Sequence, residues 1–204
     1  PNKYIKMGQK LIDILARNTT EGFLYRVDMR LRPWGRSGAL VSTVDSYLGY
    51  LEKNAGLWER QALLKARPIA GKITLGESFL EAATALIFDN PGSVLRAEIH
   101  RLKQQIESRL RQRGREWGEV KLGQGSIRDI EFVTQSLQLA NGPRFAARNT
   151  LQALEKLTAA NILSAAESRV LIDGYVFLRT VEHHLQLMHY QQTHSLPKDA
   201  AALD

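Results

Sequence analysis

The residues best suited to chemistry lie close together near the start of the chain, in residues 23–33. One carboxylate, Asp28, is surrounded there by three arginines, Arg26, Arg30 and Arg32. Guanidinium groups bind phosphate oxygens in bidentate fashion, and a carboxylate among them can hold a divalent cation that contacts the same oxygens. The residue types therefore predict a phosphate or nucleotide site, with Asp28 as its catalytic and metal-binding carboxylate.

The apolar residues of the same stretch predict the element that positions these charges. They occupy alternate positions, at Phe23, Tyr25, Val27, Met29 and Leu31. Because side chains alternate across a β-strand, the charged residues would share the opposite face. A cross-strand ladder of ion pairs on a solvated sheet face fits the same pattern equally well.

A second candidate site lies in the second half of the chain, where a Gly-rich turn precedes a predicted helix. Residues 121–125 place Lys121 and backbone N–H groups at the helix N-terminus, an arrangement that can bind an anion. Arg128 and Glu131 begin a polar stripe on that helix, which continues at Gln135 and Gln138. We predict phosphate or nucleotide contacts at Lys121, Arg128 and Glu131, although such stripes more often face water.

The charge distribution supports an anionic ligand. The chain of 204 residues has a net charge of +7; residues 1–75 contain 13 Lys and Arg against 6 Asp and Glu, and the remainder contains 15 of each. A positive field around the arginine-rich stretch attracts nucleotides or acidic surfaces. No RNA-binding motif or zinc spacing is present, so nucleic acid is not an expected partner. The lack of cysteine and of a long apolar run predicts a cytoplasmic protein without membrane contact.

The order of predicted elements gives a mainly α fold with a small α+β part. Residues 1–75 are expected to hold helices near 3–16, 43–54 and 57–67, with strands at 23–32 and 39–42. Residues 76–204 are expected to form a helical bundle, with helices near 78–88, from 93, 126–140, 149–159 and 164–191. Two strands cannot form a stable sheet alone, so the first part is expected to be an incomplete domain and the chain a fragment of a longer protein.

Two further groups of residues are not predicted to form a binding site. The basic residues at the end of the long helix that begins near residue 93 are typical of a solvated helix C-terminus. His183, His184 and His189 lack the four-residue interval that places two zinc ligands on one helical face.

Four motifs in the order found here resemble the bifunctional glutamine synthetase adenylyltransferase/adenylyl-removing enzymes. They are Tyr25-Arg-Val-Asp-Met-Arg-Leu-Arg-Pro33, Gly35-Arg-Ser-Gly38, Trp58-Glu-Arg-Gln-Ala-Leu-Leu-Lys-Ala-Arg67 and Lys121-Leu-Gly-Gln-Gly-Ser-Ile-Arg-Asp-Ile-Glu-Phe132. The resemblance implies the C-terminal portion of a DNA polymerase β-like nucleotidyltransferase domain over residues 1–75, followed by a helical bundle domain over residues 76–204. Details of the third and fourth motifs resemble the adenylyl-removing half.

The resemblance also implies an activity: phosphorolytic removal of AMP from a tyrosine of glutamine synthetase, with ATP-dependent addition in the other half of the parent. Its implied partners are glutamine synthetase, ATP or ADP, phosphate and a nitrogen-signalling regulatory protein, and its implied cofactor is magnesium (Mg2+). Asp28 would be the third carboxylate of the metal site. Because the other two are absent from this sequence, the chain alone is expected to be inactive.

The sequence departs from the family pattern in the turn before the predicted helix. Gln124 and Ser126 stand where the family commonly has small residues, and this difference argues against an anion site in that turn.

The alternative function is a non-catalytic regulatory module, in which the helical part docks a signalling protein or glutamine synthetase and the basic face is a docking surface.

Overall fold

The computed structural model describes residues 2–22, 24–89, 92–189 and 193–197. The chain divides into two compact units, Pro1–Ile87 and Phe88–Asp204. The sequence placed the boundary near residue 75, close to the start of the helix Ile73–Phe88, whereas this helix belongs almost entirely to the first unit. The interpretation of the first part as a piece of a nucleotidyltransferase domain stays a prediction.

The α-helices described in the first unit are α1 (Asn2–Ala16), α2 (Val44–Lys53), α3 (Leu57–Leu63) and α4 (Ile73–Phe88), and a short 3₁₀ helix spans Gly35–Ser37. Thr43 caps α2, because its hydroxyl accepts a hydrogen bond from the Ser46 N–H at 3.2 Å. α3 ends earlier than the expected residue 67. The N–H groups of residues 64–66 bond to carbonyls three positions earlier, so the chain tightens into turns ahead of Pro68.

The predicted strands are wrong. Residues 24–32 and 39–42 form loops, and the part of the chain that the structure describes contains only two isolated β-bridges, Thr19 with Gly22 and Glu119 with Ser195. Alternating residues are not sufficient for a strand, because a strand needs a neighbouring backbone to accept and donate its hydrogen bonds. In the described part of the chain no backbone pairs with residues 24–32 as a strand, and the Tyr25 N–H instead donates to the Leu15 carbonyl of α1 at 2.8 Å. The mainly α prediction is therefore confirmed without its β part.

The second unit contains α5 (Gly92–Gln112), α6 (Ile127–Asn141), α7 (Thr150–Ala159) and α8 (Ala165–His189). Asn149 caps α7 by accepting hydrogen bonds from two backbone N–H groups. Ser164 and Glu167 exchange hydrogen bonds at the start of α8 in a capping box. The predicted end of the last helix, at residue 191, lies outside the described residues.

The core of the second unit lies between α6, α7 and α8. Its buried members are Ile130, Phe145, Leu154, Leu157 and Leu163. Apolar side chains recur along these helices at intervals of three and four, so each helix buries one stripe. Across the described ranges, no helix combines the length and hydropathy needed to cross a bilayer.

Candidate functional site

The loop that follows α1 forms a cavity of about 390 Å3, which we call the arginine cavity. Its lining consists of Arg26, Val27, Asp28, Met29, Arg30, Arg32 and Arg36. The structure thus brings together the four residues that the sequence singled out in this stretch, although through a folded loop and not through one face of a strand. It also adds Arg36, which comes from the turn Gly35–Ser37.

Asp28 is the one carboxylate among the residues that line this cavity. Arg30 Nε lies 2.9 Å from Oδ1 and 2.8 Å from Oδ2 of Asp28, and the Arg30 backbone N–H donates to Oδ1 at 3.0 Å. The Arg30 hydrogen bonds and, to a smaller extent, the charges of Arg30 and Arg26 together lower the pKa of Asp28 to about 2. Both side chains are exposed, so the pair organises the cavity without being sealed from water.

Arg32 shapes the cavity from within. Its guanidinium donates to the carbonyls of Met29 at 2.6 Å, Gly38 at 3.1 Å and Arg36 at 3.2 Å. Three of the five N–H groups of the side chain are therefore committed to the backbone of its own loop. The sequence predicted Arg32 as a phosphate contact, whereas the geometry makes it first a clamp that closes residues 29–38.

The turn that carries Arg36 depends on a close backbone approach at Gly38. A Cβ atom on Gly38 would lie 1.8 Å from the carbonyl oxygen of Pro33, a distance that no side chain can occupy. Trp34 takes a left-handed conformation, with φ of 63°, and its ring packs edge-on against Tyr50 of α2 at 5.0 Å. The loop is therefore a folded element anchored on α2, and its glycine is required sterically.

A magnesium site is only partly provided by these residues. Asp28 offers the oxygen ligands that magnesium prefers, but its two oxygens are engaged by Arg30. Among the described residues, no three histidine or acidic side chains come close enough together to hold a metal ion. Asp28 can therefore supply one ligand of such a site, and its other ligands are not found in the described part of the chain.

Several backbone N–H groups of the turn before α6 are already bonded within the chain, whereas the sequence predicted them to be free. The N–H groups of Ile127 and Arg128 donate to the carbonyls of Val120 and Lys121 at 3.1 and 3.0 Å. The Gly125 N–H donates to Asp129 Oδ2 at 2.7 Å. A carboxylate of the chain itself thus occupies the position that an external anion would take.

Lys121 is half-buried and contacts a buried carboxylate. Its Nζ lies 3.2 Å from Oε1 of Glu182, a residue only 3% exposed. Arg179 and His194 approach the same carboxylate, with Nη1 of Arg179 at 2.5 Å from Oε2 and Nδ1 of His194 at 3.0 Å from Oε1. Three basic groups around one buried carboxylate make this a structural cluster, because a buried charge needs such partners.

The same region joins two distant segments of the chain, residues 118–121 and 194–196, which together with Glu182 we call the clasp. Val120 N–H donates to the His194 carbonyl, and Leu196 N–H donates to the Gly118 carbonyl, both at 2.9 Å. Ser195 Oγ lies 3.3 Å from Oε2 of the buried Glu119. The sequence analysis assigned no role to His194 or to these two glutamates.

Arg128 and Glu131 lie on α6 and contact other parts of the second unit. The guanidinium carbon of Arg128 lies 5.5 Å from the centre of the Phe132 ring, and its Nε is buried. The Tyr175 hydroxyl lies 3.5 Å from Oε1 of Glu131. The predicted stripe continues inward, where the buried Gln138 donates to the carbonyls of residues 145 and 147. The nucleotide contacts of Lys121, Arg128 and Glu131 stay predictions.

Comparison with known proteins assigns each unit a family match. Residues 2–82 match the family model for glutamate-ammonia ligase adenylyltransferase. Residues 100–203 match that for GlnD PII-uridylyltransferase. Both descriptions name enzymes that transfer a nucleotidyl group, and the first match contains the whole arginine cavity.

Similar full-length proteins narrow the class further. A protein of Hahella chejuensis is 38% identical over 202 residues, which is 96% of this chain and 21% of that protein. One of Thioalkalivibrio sulfidiphilus is 39% identical over 205 residues, which is 98% of this chain and 21% of that protein. Both are named bifunctional glutamine synthetase adenylyltransferase/adenylyl-removing enzyme. The chain belongs to this family, and it spans about a fifth of the length of the curated relatives it matches.

Proposed function

We propose that the chain forms part of the adenylyl-removing half of an enzyme that controls glutamine synthetase, and that the arginine cavity binds phosphate groups during that reaction. The observation that carries this proposal is that four arginines line one cavity together with Asp28. A cavity with this charge attracts phosphate oxygens, and its arginines can contact several of them at once. A cytoplasmic location is part of the proposal.

In the proposed reaction, an oxygen of inorganic phosphate attacks the phosphorus of AMP that is esterified to a tyrosine of glutamine synthetase. The bond between that phosphorus and the tyrosyl oxygen breaks, the tyrosyl oxygen takes up a proton, and ADP leaves. Arg26, Arg30 and Arg36 would neutralise the charge on the phosphate oxygens. Mg2+, when bound with Asp28 as one ligand, would supply further positive charge at these oxygens.

The second unit has a different proposed role, which the match to the PII-uridylyltransferase family model favours. We propose that this unit contacts a nitrogen-signalling protein or glutamine synthetase. In the alternative function, this docking is the whole role of the chain, and the arginine cavity is a surface for an acidic partner. The two functions predict different effects of losing Asp28: the catalytic function predicts loss of the reaction, and the docking function does not.

The test uses a chimera in which the matching segment of the Hahella chejuensis relative is replaced by this chain. Asp28→Asn should reduce phosphate-dependent release of ADP from adenylylated glutamine synthetase by about 10²–10³-fold, since charge stabilisation of the transition state is lost. Asp13→Asn is the matched control, because Asp13 is also an exposed carboxylate paired with an arginine, outside the cavity.

Each outcome discriminates between the proposals. Equal ADP release by Asp28→Asn and Asp13→Asn would overturn the catalytic role and favour the docking module. If Asp28→Asn instead abolishes attachment of AMP from ATP and leaves its removal intact, the chain belongs to the adding half.

A further inference from the structure

A second cavity of the first unit adjoins the arginine cavity, and Arg32 lines both. This second cavity has a volume of about 470 Å3 and contains both aromatic and polar lining residues. We call it the aromatic groove and define it by Arg32, Ser42, Thr43, Tyr47, Lys72 and Phe79. Neither the family matches nor the names of the relatives assign a function to it.

The aromatic side of the groove is held in place by α2 and α4. The rings of Tyr47 and Phe79 lie 4.9 Å apart between centroids and are tilted by 46°. The Tyr47 hydroxyl donates to the Leu31 carbonyl at 3.4 Å, which ties α2 to the loop of the arginine cavity. Burial raises the pKa of Tyr47, so this hydroxyl stays protonated as a donor at neutral pH.

The polar side of the groove carries positive charge and hydroxyl groups. Arg32 and Lys72 contribute the cations, Ser42 and Thr43 contribute the hydroxyls, and no carboxylate is among the described residues of the lining. Cationic and hydroxyl groups near aromatic rings suit a ligand with a flat unsaturated ring and a sugar.

We infer that the aromatic groove binds the base and ribose of a nucleotide whose phosphates occupy the arginine cavity. This inference rests on the proposed function, because it requires phosphate at the arginine cavity. A nucleotide joins a flat, stackable base to an anionic tail. The aromatic groove offers rings for the base, the arginine cavity offers positive charge for the phosphates, and Arg32 lines both. Base stacking on aromatic side chains depends little on sequence context and contributes strongly to nucleotide affinity.

The test compares two probes that share the diphosphate and differ in the nucleoside: ADP and inorganic pyrophosphate, titrated calorimetrically into the chain. Phe79→Leu removes the aromatic ring and keeps an apolar side chain. It should weaken ADP binding about five- to hundredfold and leave pyrophosphate binding unchanged, since stacking is lost but the phosphate contacts remain. Phe177→Leu, at an exposed phenylalanine of α8, is the matched control.

Arg26→Gln, in the arginine cavity, should weaken both probes together. Ala70→Trp gives a second test that removes no ring: Ala70 is exposed and lines the groove, so the larger side chain should obstruct it and reduce ADP affinity to that of pyrophosphate. Unchanged pyrophosphate binding in each groove variant shows that the loop is still folded.

The two proposals fail in different ways. If pyrophosphate does not bind the unmodified chain, phosphate binding at the arginine cavity is wrong, and the groove inference falls with it. If pyrophosphate binds but ADP binds no more tightly, or if Phe79→Leu and Ala70→Trp leave ADP affinity unchanged, the groove inference alone is overturned.

Discussion

The guanidinium of Arg30 grips both carboxylate oxygens of Asp28, with Nε 2.9 Å from Oδ1 and 2.8 Å from Oδ2. The carboxylate is thereby kept ionised and oriented before any ligand arrives. The pKa of Asp28 is lowered to about 2, first by the side-chain hydrogen bonds of Arg30 and then by its backbone N–H.

Arg30→Gln should raise the pKa of Asp28 towards 3.8, its ordinary value. Because the folded pKa is lowered, the pairing is fully present above 3.8 and is lost as the pH falls through about 2. The carboxyl carbon of Asp28, followed by NMR between these limits, reports the change directly. Arg17→Gln, which removes the partner of Asp13, is the control and should not move Asp28. A pKa that stays near 2 in Arg30→Gln would assign the shift to Arg26.

Gly38→Ala should unfold the turn that carries Arg36. The added Cβ would collide with the Pro33 carbonyl, and this strain should lower the free energy of unfolding by about 3 kcal/mol or more. Gly49→Ala is the matched control in α2, where a Cβ meets nothing within 4 Å. It should raise the stability by about 0.5–1 kcal/mol, and chemical denaturation measures both. Equal stabilities for the two variants would contradict the close approach at Gly38.

Arg32→Ala should loosen residues 29–38, because three backbone carbonyls lose a charged donor. The expected loss is about 1–3 kcal/mol, since hydrogen bonds to charged groups lie at the strong end of the range. Proteolysis within this loop should become faster. Arg36→Ala is the comparison, because Arg36 lines the same cavity and is exposed. If both variants are cleaved at the same rate, Arg32 is not the clamp.

Gln138→Met should destabilise the second unit while preserving the size of the side chain. The Gln138 amide donates to the carbonyl of Phe145 at 2.8 Å and to that of Ala147 at 3.1 Å, and the residue is 2% exposed. Leaving buried carbonyls without a donor should cost about 1–3 kcal/mol in urea denaturation. Gln152→Met, at an exposed position of α7, should be nearly neutral. A neutral Gln138→Met would mean that water replaces the amide.

The clasp should weaken in mild acid through His194. Burial, and then the charge of Lys121, lower the pKa of His194 below 6.5, and these effects outweigh the opposing charge of Glu182. The fold therefore favours the neutral imidazole, so this contribution to stability is complete above pH 6.5 and is lost as the pH falls through the lowered pKa. The unfolding free energy between pH 8 and 5.5 should fall more steeply for the unmodified chain than for His194→Gln. Parallel curves would exclude His194 as the source.

Helices and their ends were the predictable part of the fold. Local patterns are enough for an amphipathic helix and its cap, as at Thr43 and Asn149. The predicted strand at residues 23–32 was wrong because a strand needs a paired backbone as well as an alternating pattern. The local sequence contains the pattern but does not encode the pairing partner. For helix α1, the amphipathic pattern predicted the helix correctly. The apolar face that this pattern implies is not covered, because none of the described residues of α1 is buried.

The sequence predicted which residues form the candidate site, but it did not predict how they are arranged. The proximity of Asp28 to its arginines follows from their closeness in sequence, so the sequence found these four residues. Arg36 enters the cavity only because the Gly38 turn folds back, which depends on a three-dimensional approach. The turn before α6 was misjudged because Asp129, inside the helix, reaches back to the Gly125 N–H. The His194 contacts span a sequence distance that no local pattern covers.

The clasp also bears on the order in which the second unit folds. Glu119 and Ser195 are separated by 76 positions, whereas each helix between them closes its hydrogen bonds within a few residues. Contacts of such separation form late, because the intervening chain must first be brought together. During synthesis, residues 118–121 therefore lack their partners from the distant segment while α6, α7 and α8 emerge. The buried glutamates gain their last partners only when residues 194–196 have been translated.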